Sequence, residues 1–140
     1  IEDSRPRVVD QETFEDKLHL ILGTARLLHG SRVEIKGKDV YYACLEIPEP
    51  DLFRFIDLNH GEMESISTST KPVYEARFKA LLQEQLKYNP TAKTRVERDR
   101  DAYTLRCFNL RGSLAFIVPS QNRPGINRIY LRLAEGEGKG

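Results

Sequence analysis

The chain of 140 residues has only two cysteines, one methionine and no tryptophan. Two thiols, Cys44 and Cys107, cannot build a disulfide framework, so buried free thiols are expected. No apolar run approaches the roughly 18 residues that span a bilayer, and no membrane partner is expected. The opening Ile1-Glu2-Asp3 has neither the cationic nor the apolar region of a targeting segment, and the missing initial Met predicts a processed or excised chain. Asn89-Pro90-Thr91 carries proline at the forbidden middle position, and no other Asn-x-Ser/Thr occurs, so glycosylation is excluded. Together these absences predict an intracellular location, cytoplasmic or organellar.

The groups that carry catalysis are equally sparse. His19, His29 and His60 are the three histidines, and no two are spaced to share a metal ion. There is no Cys-x-x-Cys, no glycine-rich phosphate loop and no Gly-x-Ser-x-Gly elbow. Glu34-Ile-Lys36 is similar to half of a metal-dependent nuclease site, but Pro50-Asp51 follows it instead of preceding it. The expectation is a protein that is not an enzyme and uses no cofactor or metal.

Charge, by contrast, is abundant and unevenly placed. Residues 1–70 hold 8 Lys/Arg against 14 Asp/Glu and residues 71–140 hold 14 against 7, so minus six faces plus seven beneath an overall +1. At 39% hydrophobic and 31% charged residues the composition is that of a globular chain, long enough for one domain with its own core.

The pattern also suggests an internal repeat. Phe14, Leu18, Ile21, Leu22, Ala25 and Leu28 share a helical face, Thr13 with Asp16 resembles a capping box and Gly30 supplies a stop, predicting a helix over 13–29. Pro72, the series Tyr74, Phe78, Leu81, Leu82 and Leu86, and the terminator Asn89-Pro90 predict a second helix. After each helix the period drops to two, predicting strands at 32–36, 40–47, 52–58 and 62–68, and again at 93–98, 102–108, 113–118 and 127–134. Gly37-Lys38-Asp39 and Asn59-His60-Gly61 supply tight turns, and residues 119–125 a longer connection. Val33-Glu34 and Cys44 recur at an offset of 63 as Val96-Glu97 and Cys107. The predicted fold is a single α+β domain of two pseudo-repeats, about 13–68 and 72–134, each one helix plus four antiparallel strands. The ends, 1–7 and 135–140, are expected to be disordered.

The basic second half offers the strongest functional signal. Alternation along the last strand sets Arg128, Tyr130 and Arg132 opposite Ile129, Leu131 and Leu133, and Arg106 and Phe108 share another outward row. Guanidinium groups neutralise phosphates while aromatic rings stack on unpaired bases. Arg106, Arg128 and Arg132 are therefore expected to contact phosphates, Phe108 and Tyr130 to stack, and Arg95, Arg111 and Arg123 to form the rim. The predicted activity is non-catalytic binding of single-stranded RNA or DNA. The alternative is a protein-interaction or assembly subunit, a homo-oligomer included, docking through oppositely charged faces.

Two units of four strands plus a helix resemble the layout of the Whirly and PUR-repeat families over about 13–134. Lys36-Gly37-Lys38 is similar to the Lys-Gly-Lys before a Whirly strand, with Asp39-Val40-Tyr41 in place of that family's following alanines and leucine. That resemblance implies single-stranded nucleic acid bound on a sheet surface and an oligomer. A helix wrapped by four strands also looks like a doubled cystatin unit, although the inhibitory Gln-x-Val-x-Gly hairpin is absent.

Overall fold

A computed structural model describes residues 6–101 and 106–134. Among these residues the fold is α+β, with four α-helices and one seven-stranded antiparallel sheet of order β1-β2-β3-β7-β6-β5-β4. The strands are β1 Arg7–Val8, β2 Arg26–Ile35, β3 Lys38–Pro48, β4 Glu62–Met63, β5 Arg106–Leu110, β6 Ser113–Pro119 and β7 Ile126–Ala134. The helices are α1 Gln11–Leu18, α2 Leu52–Leu58, α3 Lys71–Tyr88 and α4 Lys93–Arg100.

Helices cover both faces of this sheet. On one side Phe14 and Leu18 of α1, Leu20 and Leu22 after it, and Leu52, Phe55 and Ile56 of α2 pack on Tyr41, Ala43, Leu45, Ile129, Leu131 and their neighbours. On the other, Phe78, Leu81 and Leu82 of α3 and Ala92 and Val96 of α4 pack on Val40, Tyr42, Cys44, Phe116 and Tyr130. The central strands β3 and β7 are consequently buried almost end to end.

Several predicted elements take another form. The helix expected over 13–29 starts earlier, with Asp10 as its cap accepting from the Thr13 amide at 3.0 Å, and ends at Leu18. His19 enters the left-handed region at φ 55, and the chain continues into β2, which pairs with β3 from Arg26 to Ile35. Residues 52–58, expected as a strand, form α2: after Pro48 and Pro50 the buried Leu52, Phe55 and Ile56 fall at helical spacing. Only Glu62–Met63 of the predicted strand 62–68 pairs. The predicted strand 93–98 is α4, which buries Val96 and Asp99 three residues apart. Residues 102–105 of the strand predicted at 102–108 lie outside the described residues, and β5 begins at Arg106.

The two halves are thus not copies. The first runs α1, β2, β3, α2, β4 after the short β1, and the second runs α3, α4, β5, β6, β7. Val33-Glu34 sits in a strand and Val96-Glu97 in a helix, so the matching registers do not extend to structure, and the layout resemblances built on two four-stranded units lose their basis. Of the ends expected to be disordered, 1–5 and 135–140 lie outside the described residues, and Arg7 pairs with Arg32. Both cysteines are free and buried, as expected. The turns between β2 and β3 and between β5 and β6 each place two residues at positive φ, Lys36-Gly37 and Arg111-Gly112, the conformation a two-residue hairpin of matching twist requires.

Candidate functional site

The eight residues expected to form a nucleic-acid platform are divided between the two faces, and each has partners within the chain. Phe108 is 0% exposed and meets Phe55 edge-on at 6.4 Å beneath α2. Tyr130 is also 0% exposed, edge-on to Phe78 at 6.3 Å beneath α3. Neither ring is a stacking surface, which corrects the outward orientation read from alternation. The assumption of one solvated face failed because both faces carry helices. A signal was present: Tyr41 to Leu45 and Leu114 to Val118 are unbroken apolar runs, the mark of strands buried on both sides.

The arginines are engaged as well. Arg106 makes a two-point ion pair with Glu49, at 2.7 and 3.2 Å, on the α1–α2 face. Arg111 donates to the carbonyls of Leu18 and His19 at the end of α1. Arg26 and Arg123 share a single oxygen of Glu46, at 2.6 and 2.7 Å. Burial pushes the Glu46 carboxyl up, but these two cations outweigh it and leave its pKa below the ordinary value. Glu49 is lowered too, by its bonds from Arg106 and Asn127. Arg132 lies 3.7 Å from Glu84.

Two polar networks join the sheet to α3 and α4. In the first, Arg128 grips Asp99 of α4 through Nε and Nη2, at 2.7 and 3.0 Å, and the Tyr130 hydroxyl donates to the same carboxylate at 2.6 Å. Asp99 is 1% and Arg128 5% exposed, so this is a buried ion pair with its hydrogen bonds made. Burial alone would lower the Arg128 pKa, but Asp99 raises it. Burial, with Cys44 and Asp99 adjacent, raises the Tyr130 phenol and keeps it a donor. In the second network Arg95 donates to Nδ1 of His29 at 2.8 Å, which leaves Nε2 to donate to Gln85 Oε1 at 3.2 Å. Gln85 in turn donates to the carbonyls of Ala43 and Leu131, at 3.2 and 3.3 Å. Burial first, and then the Arg95 charge, lower the His29 pKa to about 4.

These networks anchor helices; the surface open to a partner is the outside of the helical layers. On α3 and α4 and the residue after them, Lys71, Arg77, Lys79, Lys87, Lys93, Arg98 and Arg100 are exposed against Glu75, Glu97 and Asp101. On the other side Asp10, Glu12, Glu15, Asp16 and Asp57 are exposed against Lys17 and Arg54. The charge split along the sequence has become a split across the sheet. Sequence reading missed this because it assigned only one of the four helices its observed limits to within two residues.

Among the described residues no group of three or more His, Cys, Asp or Glu is arranged to hold a metal ion. No helix among them is long and apolar enough to cross a membrane. The chain matches no protein-family model, no curated protein and no solved structure.

Proposed function

We propose that this protein is a non-catalytic docking and assembly module whose two oppositely charged helical layers meet complementary surfaces, a second copy of the chain among them. The observation that carries this reading is the opposition of the acidic α1–α2 layer and the basic α3–α4 layer on the two sides of one sheet. Faces of opposite sign steer encounter and set orientation, at a strength that falls with salt. Contact between unlike faces is head-to-tail, and closes into a ring only if the rotation per step allows. The two buried thiols fit an intracellular setting.

Sedimentation of paired charge reversals tests this directly. Glu15→Lys with Asp16→Lys should dissociate the assembly seen at low salt, as should Lys79→Glu with Lys87→Glu. A mixture of the two variants should associate again, because each supplies the charge the other now needs. Monomers at low salt, or no recovery on mixing, would defeat the proposal.

A second reading keeps nucleic acid as the partner of the basic layer alone, supported by the row of exposed lysines and arginines on α3 and α4. Both rings proposed to stack are buried, so contact would run through phosphates and be insensitive to sequence. Here Lys79→Glu with Lys87→Glu should abolish oligonucleotide binding while Glu15→Lys with Asp16→Lys preserves or strengthens it. Unchanged binding by the first variant rejects this reading, and a high ratio of absorbance at 260 to 280 nm in the purified protein supports it.

A further inference from the structure

The loop between α1 and β2 runs alongside α2 and is fastened at both ends of that helix. At one end the Asn59 side-chain amide accepts from the Ile21 N–H at 2.7 Å and donates to the carbonyls of Ile21 and Phe55, at 2.8 and 2.9 Å. At the other the Thr24 hydroxyl donates to Oδ2 of Asp51 at 2.7 Å. Between these points Gly23 turns at φ 58, and the Ala25 amide closes the turn by donating to the Leu22 carbonyl at 2.8 Å. A hollow of about 230 Å³ lies between loop and helix. Leu22, Ile47 and Phe55, each 2% exposed or less, form its floor, and Asp51, Arg54 and Leu58 stand at its rim.

We infer that this hollow binds a free apolar α-amino acid, its side chain on Leu22, Ile47 and Phe55, its ammonium on Asp51 and its carboxylate on Arg54. Asp51 and Arg54 are three residues apart across the start of α2, so they share one side of it. Oδ2 of Asp51 holds Thr24, and Oδ1 has no partner among the described residues. Arg54 is exposed and pairs with no carboxylate among them. One acid and one base at the mouth of an apolar hollow complement a zwitterion, whereas an apolar acid or an amine leaves one of the two unmatched. The size agrees, because a cavity of about 150 Å³ lined by aliphatic side chains already takes benzene. A loop fastened at both ends keeps the hollow open before anything enters, which lowers the cost of binding. The occupant would cover Leu58, which is otherwise 39% exposed at the rim. Assembly through the charged layers is not required for this site.

The test uses the full chain at a salt concentration where it sediments as one species, so that loss of assembly does not affect the result. Free valine, leucine, isoleucine, methionine and phenylalanine are titrated by calorimetry, each beside its deaminated acid and its decarboxylated amine. At least one amino acid should bind, with both of its analogues weaker by about tenfold or more. Arg54→Gln should reduce that amino acid to the affinity of its amine. Asp51→Asn, which keeps an acceptor for Thr24, should reduce it to the affinity of its deaminated acid. Arg54 is exposed and unpaired, so Arg54→Gln should melt with the parent protein. Methyl resonances of Leu22, Ile47 and Leu58 should move on binding. No binding of any of the five in the millimolar range, equal binding of the amino acid and its analogues, or shifts confined to other parts of the chain would each overturn the inference. Assembly without amino-acid binding removes this site alone, and amino-acid binding without assembly removes only the layer reading.

Discussion

Asp99 shows how much a single side chain can hold in this protein. It is the common acceptor for Arg128 and Tyr130 and the only buried charge that α4 contributes. Breaking a buried pair strands the other charge, at about 3–5 kcal/mol. Asp99→Ala should therefore lower unfolding stability in urea by that order, while Asp99→Leu with Arg128→Met should recover much of the loss. His29 carries a pH signature instead. Its pKa is about 4 in the fold and 6.5 ordinarily, so the unfolded chain takes up a proton that the folded chain refuses. Its contribution is complete above pH 6.5 and declines as pH falls toward 4, by about 3 kcal/mol in all. Glu46 and Glu49 have lowered pKa values, so the stability they add is lost only below the ordinary carboxylate range. His29→Gln should flatten the stability profile between pH 6.5 and 5 and leave the acid limb in place.

At the scale of elements, α1 depends on an empty position in the sheet. A Cβ built on Gly30 of β2 would lie 2.6 Å from Cε2 of Phe14, a ring with 0% exposure. Gly30→Ala should cost about 1–3 kcal/mol by overpacking and raise amide exchange in α1 first. Read from sequence alone, Gly30 was the stop of a long helix, and the same residue in fact lets a short helix approach a strand. α3 and β7 were legible because their periods run long, and β3 and β6 because apolar runs of strand length lie between turn residues. α2 and α4 were not. Each is only about two turns long, and the buried pair Val96 and Asp99 in α4 includes a charge that no hydrophobic pattern reveals. The candidate site was legible as charge and illegible as surface. Arginines 106, 111, 123 and 128, expected to contact nucleic acid, are bonded within the chain, and their carboxylate and carbonyl partners lie between 57 and 93 residues away for Arg106, Arg111 and Arg123 and 29 away for Arg128.

For the whole molecule, enclosure of the sheet makes the thiols reporters of unfolding. Cys44 and Cys107 are 0% exposed, and burial raises their pKa values to about 12 and about 11. Thiolate is the reactive form, so labelling by a disulfide reagent near neutral pH should proceed at the unfolding rate for both. Faster labelling of either cysteine would show that the α3–α4 layer lifts from the sheet on its own. The position of β7 has a consequence for synthesis. It is the last of the described strands in sequence, yet it lies between β3 and β6 at the centre of the sheet. On a ribosome adding about 5–20 residues per second, β3 emerges roughly 4 to 16 s before its permanent neighbour. Through that interval the nascent chain carries an apolar strand with one edge unclaimed, so the period of greatest vulnerability to misassociation is set by strand order and ends only when β7 arrives.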